Sequence, residues 1–287
     1  MHANSINYPI MDLKEFIRNS IIEDVGSGDH TSLGCIPNDA KSKARLIVKE
    51  DGILAGMELA AIITNEIDKS LKFETFLKDG DLVRKGDIAF HLSGKAQSIL
   101  KAERLVLNCM QRMSGIATTT SKYVKAIEGT YAKVLDTRKT TPLNRYLEKW
   151  AVRIGGGHNH RFGLYDMIMI KDNHVDYAGG ISKAIHAAND YLTRNNIQIP
   201  IEIETRSLEE IKQVLDTGNV QRIMLDNFSP QLLKEGVSLI NKKYETEASG
   251  GIVLDTIRSY AETGVDFISI GALTHSVKSL DLSLKAF

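Results

Sequence analysis

The sequence has 287 residues, of which 43% are hydrophobic and 25% are charged, and this predicts one large globular domain or two of ordinary size. Lys plus Arg and Asp plus Glu both total 36, so the net charge of zero gives no support for a nucleic-acid-binding surface. No apolar run approaches 18 residues, so we expect no membrane span.

The two cysteines, Cys35 and Cys109, lie far apart in the sequence, and we expect both to be reduced thiols. The first residues lack the basic and then apolar layout of a signal peptide. We therefore expect a cytoplasmic protein that has neither a nucleic-acid nor a membrane partner.

The first part of the chain mixes helices with short strands. Apolar residues at helical spacing predict an amphipathic helix at 12–24, with Asp12 as its N-cap. Short β-branched or alternating runs and a longer Leu-rich and Lys-rich run predict strands at 44–48, 80–87 and 87–92 and a helix at 97–113. We predict an N-terminal α/β domain over residues 1–115.

After residue 115 the pattern becomes repetitive, because short apolar runs that end in polar residues alternate with helix-like stretches. The runs lie at 134–136, 167–171, 201–204, 223–226, 247–249 and 267–271. Strand and helix in alternation predict a parallel sheet with crossover helices. The number of units and the Gly-rich punctuation favour a closed or nearly closed α/β barrel, which we assign to residues 116–276.

The ends of the first two predicted strands are basic. In α/β barrels the active site lies at the C-terminal ends of the strands, so these side chains should converge on one pocket. The basic residues and histidines between 136 and 174 are Arg138, Lys139, Arg145, Lys149, Arg153, Arg161, Lys171, His158, His160 and His174. Such a pocket binds a ligand with two or more negative charges, because Arg and Lys bind carboxylate and phosphate. The spacing of Arg145, Lys149 and Arg153 by four is also typical of a solvated helix face.

The ends of the later strands predict a different ligand. Glu204 and Asp226 follow neighbouring strands, and such a pair of carboxylates suits Mg²⁺ together with substrate phosphates. Ser249-Gly250-Gly251 and Gly271-Ala272 are small-residue turns that we expect to open helices and to bind phosphate through backbone N–H groups. The second predicted ligand is therefore a phosphorylated compound that carries a metal ion.

Two single motifs allow other chemistry. His158 and His160 have the His-x-His spacing of a zinc site, although neighbouring arginines disfavour a cation there. Lys171 at a strand end has the position of a Schiff-base lysine in a barrel aldolase.

Longer strings carry a resemblance to one family. They are Glu23-Asp24-x-Gly-x-Gly-Asp29-x-Thr31, Glu103-Arg104-x-x-Leu-Asn108-x-x-Gln111-Arg112-x-Ser114-Gly115-Ile-Ala-Thr118, Asp136-Thr-Arg-Lys-Thr-Thr-Pro142, Gly155-Gly-Gly-x-Asn159-His160-Arg161-x-Gly163-Leu, Met169-Ile-Lys171-Asp-Asn-His174, Leu225-Asp-Asn227, Glu247-Ala-Ser-Gly-Gly251 and Leu273-Thr-His275-Ser. Together they resemble the quinolinate phosphoribosyltransferases from about residue 20 to 287. One departure is Leu143-Asn144, where the family pattern has Gly-Leu.

The resemblance implies an N-terminal α/β sandwich domain, on which residues 277–287 pack, and a C-terminal open, TIM-like α/β barrel. It also implies a homodimer, or a higher oligomer, in which Arg104 enters the neighbouring subunit's site. Residues 97–113 fit this, because Arg104, Asn108 and Arg112 share one polar helix face. A solvated face would have the same pattern.

Carried over by position, the resemblance assigns quinolinate binding to Arg104, Thr137, Arg138, His160, Arg161 and Lys171. The ribose and phosphate of phosphoribosyl pyrophosphate are assigned to Glu204, Asp226, Ser249, Gly250, Gly251, Ile270, Gly271, Ala272 and His275. Lys139, Lys171, Glu204 and Asp226 are the expected catalytic residues, and Glu204 and Asp226 the expected Mg²⁺ ligands. No organic cofactor is expected.

The implied reaction converts quinolinate and phosphoribosyl pyrophosphate into nicotinate mononucleotide, pyrophosphate and CO₂ in NAD biosynthesis. Two alternatives remain open. One is a related phosphoribosyltransferase with another acid acceptor, including the paralogous group linked to molybdate uptake. The other is a catalytically silent anion-binding protein.

Overall fold

The computed structural model describes residues 13–287, and the predicted N-cap Asp12 lies outside this range. The described residues form two compact units. Unit 1 contains the described residues up to Ser121 together with Thr141–Gly156 and Ser276–Phe287, and unit 2 contains Lys122–Thr140 and Gly157–His275. Within residues 13–287, no helix combines the length and the apolar character that crossing a membrane requires.

Helices and strands alternate along the whole described chain. In chain order they are α1 Leu13–Val25, α2 His30–Cys35, β1 Lys41–Val48, β2 Gly52–Ile53, α3 Met57–Ile67, β3 Lys72–Thr75, β4 Leu82–Val83, β5 Ile88–Lys95, α4 Ala96–Ala126, β6 Lys133–Leu135, α5 Arg145–Ile154, β7 Ile168–Ile170, α6 Asp172–Ala178, α7 Ile181–Asn195, β8 Ile201–Thr205, α8 Leu208–Thr217, β9 Arg222–Asp226, α9 Pro230–Ile240, β10 Glu245–Ser249, α10 Ile257–Ala261, β11 Phe267–Ser269, α11 Ala272–His275 and β12 Leu282–Ala286.

Unit 1 is built on an antiparallel sheet with the strand order β12-β1-β5-β3. Alternate residues of β1 are buried, namely Ala44, Leu46 and Val48, because successive side chains of a strand point to opposite faces. The C-terminal strand β12 pairs antiparallel with β1, with Leu284 opposite Leu46. This sheet confirms the α/β class that the sequence predicts for the N-terminal part of the chain.

Two elements predicted in unit 1 have different bounds in the structure. The segment 80–87 is mostly turn, since Gly80 and Gly86 both have positive φ and only Leu82–Val83 forms a strand. The helix predicted at 97–113 continues to Ala126, through Ser114. The Ser114 Oγ lies 2.9 Å from the Ala55 N–H that donates to it, so this residue fastens the helix to the chain after β2 instead of ending it.

Unit 2 is a sheet of six parallel strands in the order β6-β11-β10-β9-β8-β7. The strands follow one another around the sheet in chain order, as in an α/β barrel, but β6 and β7 do not pair with each other. At that gap His158 forms a single parallel bridge with Leu135 of β6. The barrel is therefore open, as the family resemblance implies, and the fully closed form that the repeat pattern also allowed is wrong.

Candidate active site

A cavity of about 690 Å³ lies in unit 2 at the C-terminal ends of the strands. Most of the residues predicted to bind substrate line it, as an α/β barrel requires. They are Thr137, Arg138, Lys139, His160, Arg161, Lys171, Glu204, Asp226, Ser249, Gly250, Gly251, Gly271, Ala272 and His275. Ile270 is not among the lining residues; it is buried, and its N–H donates to the Leu135 carbonyl oxygen.

The basic side of the cavity brings two arginines close together. Burial and the positive charge of Arg138 both lower the pKa of Arg161. The Nη1 of Arg161 also donates to the Met167 carbonyl oxygen at 3.1 Å, which fixes the side chain in place. Because two guanidinium groups repel each other, a bound anion between them would be favourable.

Lys171 and Glu204 form an ion pair at the boundary between the basic and the acidic sides. The Nζ of Lys171 lies 2.6 Å from Glu204 Oε2, and the Glu204 side chain is almost fully buried. An ammonium group that is held by a carboxylate is not a nucleophile, so this geometry disfavours the Schiff-base alternative.

The acidic side is held by a packed pair of turns. Asn227 has a left-handed backbone, with φ of 57°, and its Nδ2 donates to the Asp226 carboxylate. The Asn227 N–H donates to the Ser249 carbonyl oxygen at 2.8 Å. Gly250 has φ of 98°, and a Cβ at this position would overlap Asn227 Oδ1. Only glycine therefore allows the turn after β10 to pack against Asp226 and Asn227.

Lys139 is held against the last strand of the barrel. Thr274 Oγ1 donates to the Lys139 carbonyl oxygen at 2.8 Å. A Cβ at Gly271 would lie 3.0 Å from Lys139 Cδ, so a side chain there would push the lysine away. These contacts place Lys139 beside the turn after β11 that contains Gly271.

The two turns do not both open helices, and this corrects the sequence prediction. After Ser249-Gly250-Gly251 the next helix begins only at Ile257. After Gly271 the helix α11 spans four residues, Ala272–His275. A phosphate at the turn after β10 would therefore meet backbone N–H groups and no helix dipole.

Next to the cavity lies a group of charged residues of which the sequence predicted only His160, and His160 and Glu247 also line the cavity. His160 Nε2 lies 3.0 Å from Glu202 Oε2 and 3.3 Å from Glu247 Oε2, and both carboxylates are fully buried. Arg222 Nη1 lies 2.9 Å from Glu247 Oε2. We call these four residues the buried ionic cluster.

The surroundings of His160 have opposite effects on its pKa. Burial alone would lower the pKa of His160, but Glu202 and Glu247 outweigh burial and raise that pKa to about 9. The Arg161 N–H donates to His160 Nδ1 at 2.6 Å, and this contact opposes a second proton at that atom. Both ring nitrogens are thus engaged by the protein.

A signal for the missed carboxylates was present in the sequence. Glu202 lies two residues before Glu204, and Glu247 lies two residues before Ser249. Because side chains alternate along a strand, both residues of each pair point to the same face. Both carboxylates lie inside their strands and not at the strand ends, where an active site of an α/β barrel is expected.

The alternative zinc site at His158 and His160 is not assembled among residues 13–287. The one group of His, Cys, Asp or Glu ligands there that lies close enough to hold a metal combines His160 with Glu202 and Glu247. His158 is exposed and is not part of it. Its backbone instead pairs with β6.

Several predicted basic residues belong to unit 1 and do not line this cavity. Arg145, Lys149 and Arg153 lie on α5, where Lys149 is buried, so the expectation of a fully solvated face is wrong for that residue. Arg104 is exposed on α4 and lines another cavity of about 600 Å³. Asn108 and Arg112 of the same helix line that cavity too.

The structure explains the departure at Leu143. This residue has φ of 63°, a left-handed backbone that favours glycine, and its side chain is 81% exposed. The turn that a glycine would form is therefore present, and leucine occupies it at a cost in backbone strain.

The fold and this cavity are those of an open α/β-barrel enzyme whose cavity has a basic side and an acidic side. Two family models match the chain: the N-terminal domain of quinolinate phosphoribosyl transferase over residues 29–114 and its C-terminal domain over residues 116–285. The chain belongs to the quinolinate phosphoribosyltransferase family.

Individual relatives agree with this. The mitochondrial quinolinate phosphoribosyltransferase (decarboxylating) 2b of Nicotiana tabacum is 49% identical over 97% of this chain and 83% of its own. A probable nicotinate-nucleotide pyrophosphorylase (carboxylating) of Bacillus subtilis is 42% identical over 96% of this chain and 93% of its own. The crystal structure of NadC from Streptococcus pyogenes superposes with a TM-score of 0.90 at 38% identity, covering 95% of each chain.

Proposed function

We propose that this enzyme transfers the phosphoribosyl group of phosphoribosyl pyrophosphate to quinolinate, releases CO₂ and pyrophosphate, and forms nicotinate mononucleotide for NAD biosynthesis. The observation that carries the proposal is the division of one cavity between the paired Arg138 and Arg161 and the carboxylates of Glu204 and Asp226. A dicarboxylate needs the first side and a ribose phosphate the second.

Quinolinate lies on the basic side. Arg138 and Arg161 bind its two carboxylates, with Lys171, Thr137 and the ring of His160 beside them. Arginine suits this task because its planar fork of N–H donors matches a carboxylate in two places. The repulsion between the two guanidinium groups is relieved when the dianion binds.

The phosphoribosyl donor lies on the acidic side. Glu204 and Asp226 hold the ribose hydroxyls, and backbone N–H groups at Ser249, Gly250 and Gly251 hold the 5′-phosphate. Gly271, Ala272 and His275 complete this phosphate site from the turn after β11. The glycine at 250 supports the assignment, because it lets the backbone come close to a ligand.

Mg²⁺ fits the same side. Glu204 and Asp226 are carboxylates at neighbouring strand ends that both face the cavity, and oxygen ligands of this kind suit Mg²⁺ together with substrate oxygens. When bound, the ion supplies positive charge for the pyrophosphate group as it leaves.

The protein's own residues then account for the chemistry. Lys139 stabilises the departing pyrophosphate, and Glu204 and Asp226 stabilise the oxocarbenium character of the ribose carbon. The pyridine nitrogen attacks that carbon once Arg138 and Arg161 have oriented the ring, so positioning replaces base catalysis. Loss of CO₂ leaves negative charge on a ring carbon next to the positive ring nitrogen. The positive ring nitrogen stabilises that charge until a proton from water is added to the carbon, which completes nicotinate mononucleotide.

We also propose a homodimer, or a higher oligomer, in which Arg104 completes the neighbouring subunit's basic side. In support, Arg104 is exposed on α4 and is not among the residues that line the cavity of unit 2. Mixing the Arg104→Ala variant with the Lys171→Ala variant should restore activity, because a mixed dimer carries one intact site. No recovery after confirmed subunit exchange would contradict the shared site.

The activity is tested by measuring pyrophosphate and CO₂ release with quinolinate and, separately, with nicotinate. We expect turnover with quinolinate and little with nicotinate, since nicotinate lacks the second carboxylate. Robust turnover of nicotinate would identify a related transferase with another acceptor. Quinolinate binding without any pyrophosphate release would identify a silent anion-binding protein.

Two further assignments belong to this proposal. Along the sequence, residues 1–115 with 277–287 are assigned to the N-terminal domain and residues 116–276 to the catalytic domain, in line with the family models, although Thr141–Gly156 belongs to unit 1 in space. The protein acts in the cytoplasm, although the tobacco relative is named as mitochondrial; two free cysteines support a reducing location. Fractionation of the source cells would test it.

A further inference from the structure

The proposed reaction makes no use of most of the buried ionic cluster, which consists of His160, Glu202, Arg222 and Glu247. Its carboxylates come from the interiors of β8 and β10, and each is fully buried. Arg222 lies on β9 between them, and its guanidinium group is 4.1 Å from the centre of the Phe267 ring. The cluster therefore occupies the middle of the barrel, where His160 and Glu247 also line the cavity.

Stability gives no reason for this cluster. The interior of an α/β barrel is ordinarily filled by branched apolar side chains. Removing two carboxylates from water is unfavourable, and replacing buried ion pairs by apolar residues of similar volume is often neutral or stabilising. Burial and the neighbouring Glu247 raise the pKa of Glu202, which is a sign of this cost. Charged groups that are kept in such a place point to a role in the site.

The contacts of His160 show what the cluster reaches. On one side of the ring, Nε2 faces Glu202 and Glu247 at 3.0 Å and 3.3 Å. On the other side, Nδ1 accepts from the Arg161 N–H at 2.6 Å. The His160 N–H donates to Asp136 at 2.9 Å, which anchors the segment across the gap in the barrel. The carboxylates thus contact one side of the imidazole ring, and the other side of the ring accepts a hydrogen bond from the backbone of Arg161.

We propose that Glu202 and Glu247 are positioning residues that act through His160 to fix Arg161 on the dicarboxylate side of the cavity. This inference rests on the proposed function. The carboxylates act by holding the imidazole in one orientation, and this orientation places the Arg161 backbone. The phosphoribosyl side of the cavity does not depend on them.

A metal centre is the competing use of the same three residues, since their ligand atoms lie within 4.8 Å of one another. Arg222 argues against it. Its Nη1 lies 2.9 Å from Glu247 Oε2, so a metal ion bound among the three residues would lie close to the guanidinium group, which would repel it. The basic neighbours Arg138 and Arg161 also repel a cation.

The test compares the KM values for the two substrates in the Glu202→Gln variant. Gln keeps the size of the side chain and removes its charge. We expect KM for quinolinate to rise tenfold or more and KM for phosphoribosyl pyrophosphate to stay within twofold. Glu245→Gln is the matched control, because Glu245 also pairs with Arg222, at 2.9 Å, but is exposed and does not contact His160. That variant should behave like the parent protein.

A double variant shows whether the effect passes through His160. In a His160→Gln background, adding Glu202→Gln should change KM for quinolinate by less than twofold. Equal rises in both KM values would indicate a general structural role and overturn the proposal. A full additional effect of Glu202→Gln in the His160→Gln background would also overturn the proposal. So would the finding that the parent protein binds one divalent ion per chain and that the Glu202→Gln variant does not.

Two controls keep the result interpretable. If Glu202→Gln does not fold, Glu247→Gln carries the same test under the same criteria. An inactive parent protein would refute the proposed function, whereas an active parent with an unchanged Glu202→Gln variant would refute only the positioning role.

Discussion

The two sides of the cavity are built in different ways. The basic side consists of long side chains, among them Arg138 and Arg161. Burial and the repulsion between these two guanidinium groups lower the pKa of Arg161, and a bound anion would relieve the repulsion. The acidic side consists of the short carboxylates Glu204 and Asp226 and of turns in which Gly250 is required by its contacts. One side is specified by side-chain charge and the other largely by backbone shape.

This difference has consequences for each ligand. A flexible guanidinium group can follow a planar carboxylate, so in the proposed function the basic side would select its ligand by the number of negative charges. Backbone turns cannot adjust in this way, so the acidic side would select by the fit of a phosphate against N–H groups. Substitutions on the two sides should therefore affect different substrates and by different mechanisms.

The largest effect is expected at Asp226. Asp226→Asn should lower kcat/KM on the order of 10³-fold, because it removes negative charge beside the carbon that becomes positive. Quinolinate binding, measured by calorimetry, should change little. Asp216→Asn, an exposed change on α8, is the control. Weakened quinolinate binding in the Asp226→Asn variant would contradict the proposal that the two sides of the cavity bind different substrates.

Arg138 tests the opposite side. Arg138→Ala should lower kcat/KM for quinolinate on the order of 10²-fold, because one carboxylate loses its partner. The control is Arg153→Ala, which removes an exposed arginine of α5. Steady-state kinetics with each substrate varied would check both, and parental rates for Arg138→Ala would exclude this residue from the site.

Gly250 and Gly251 separate steric fit from backbone strain. Both have positive φ, but only a side chain at 250 would overlap a neighbour, Asn227; nothing lies within 4 Å of a Cβ at 251. Gly250→Ala should destabilise the fold by about 2 kcal/mol and Gly251→Ala by about 1 kcal/mol. Chemical denaturation gives the stability. Only Gly250→Ala should also raise KM for phosphoribosyl pyrophosphate, and equal behaviour of the two variants would contradict the steric argument.

The smallest effect is expected at Thr274, which holds Lys139 where the two sides meet. Thr274→Val keeps the shape and removes the 2.8 Å hydrogen bond to the Lys139 carbonyl oxygen. A bond of this kind is worth about 1 kcal/mol, or about fivefold in rate. We expect kcat to fall by that amount with both KM values nearly unchanged. A change in KM for only one of the two substrates would indicate that Lys139 acts on that substrate's side of the cavity alone.

Sequence patterns predicted the cavity-lining residues at the strand ends better than the charged residues inside the barrel. Lys171, Glu204 and Asp226 were found because the carboxyl ends of parallel strands meet at one edge, so a residue's place in the chain fixes its place in space. Glu202 and Glu247 were missed although period-two spacing was visible, since strand interiors are expected to be apolar. The end of α4 was missed because Ser114 has a tertiary partner that no local pattern reveals.

By itself the sequence determined the class of fold and the types of residue at the strand ends, because these depend on periodicity and on residue type. Only the tertiary structure decided where the barrel opens, which cations converge and which stay in unit 1, and that a buried ionic cluster lies in the middle of the barrel. Those features depend on contacts between residues far apart in the chain. Glu202 and Glu247 meet His160 across more than forty positions of sequence, and only folding brings them to within about 3 Å.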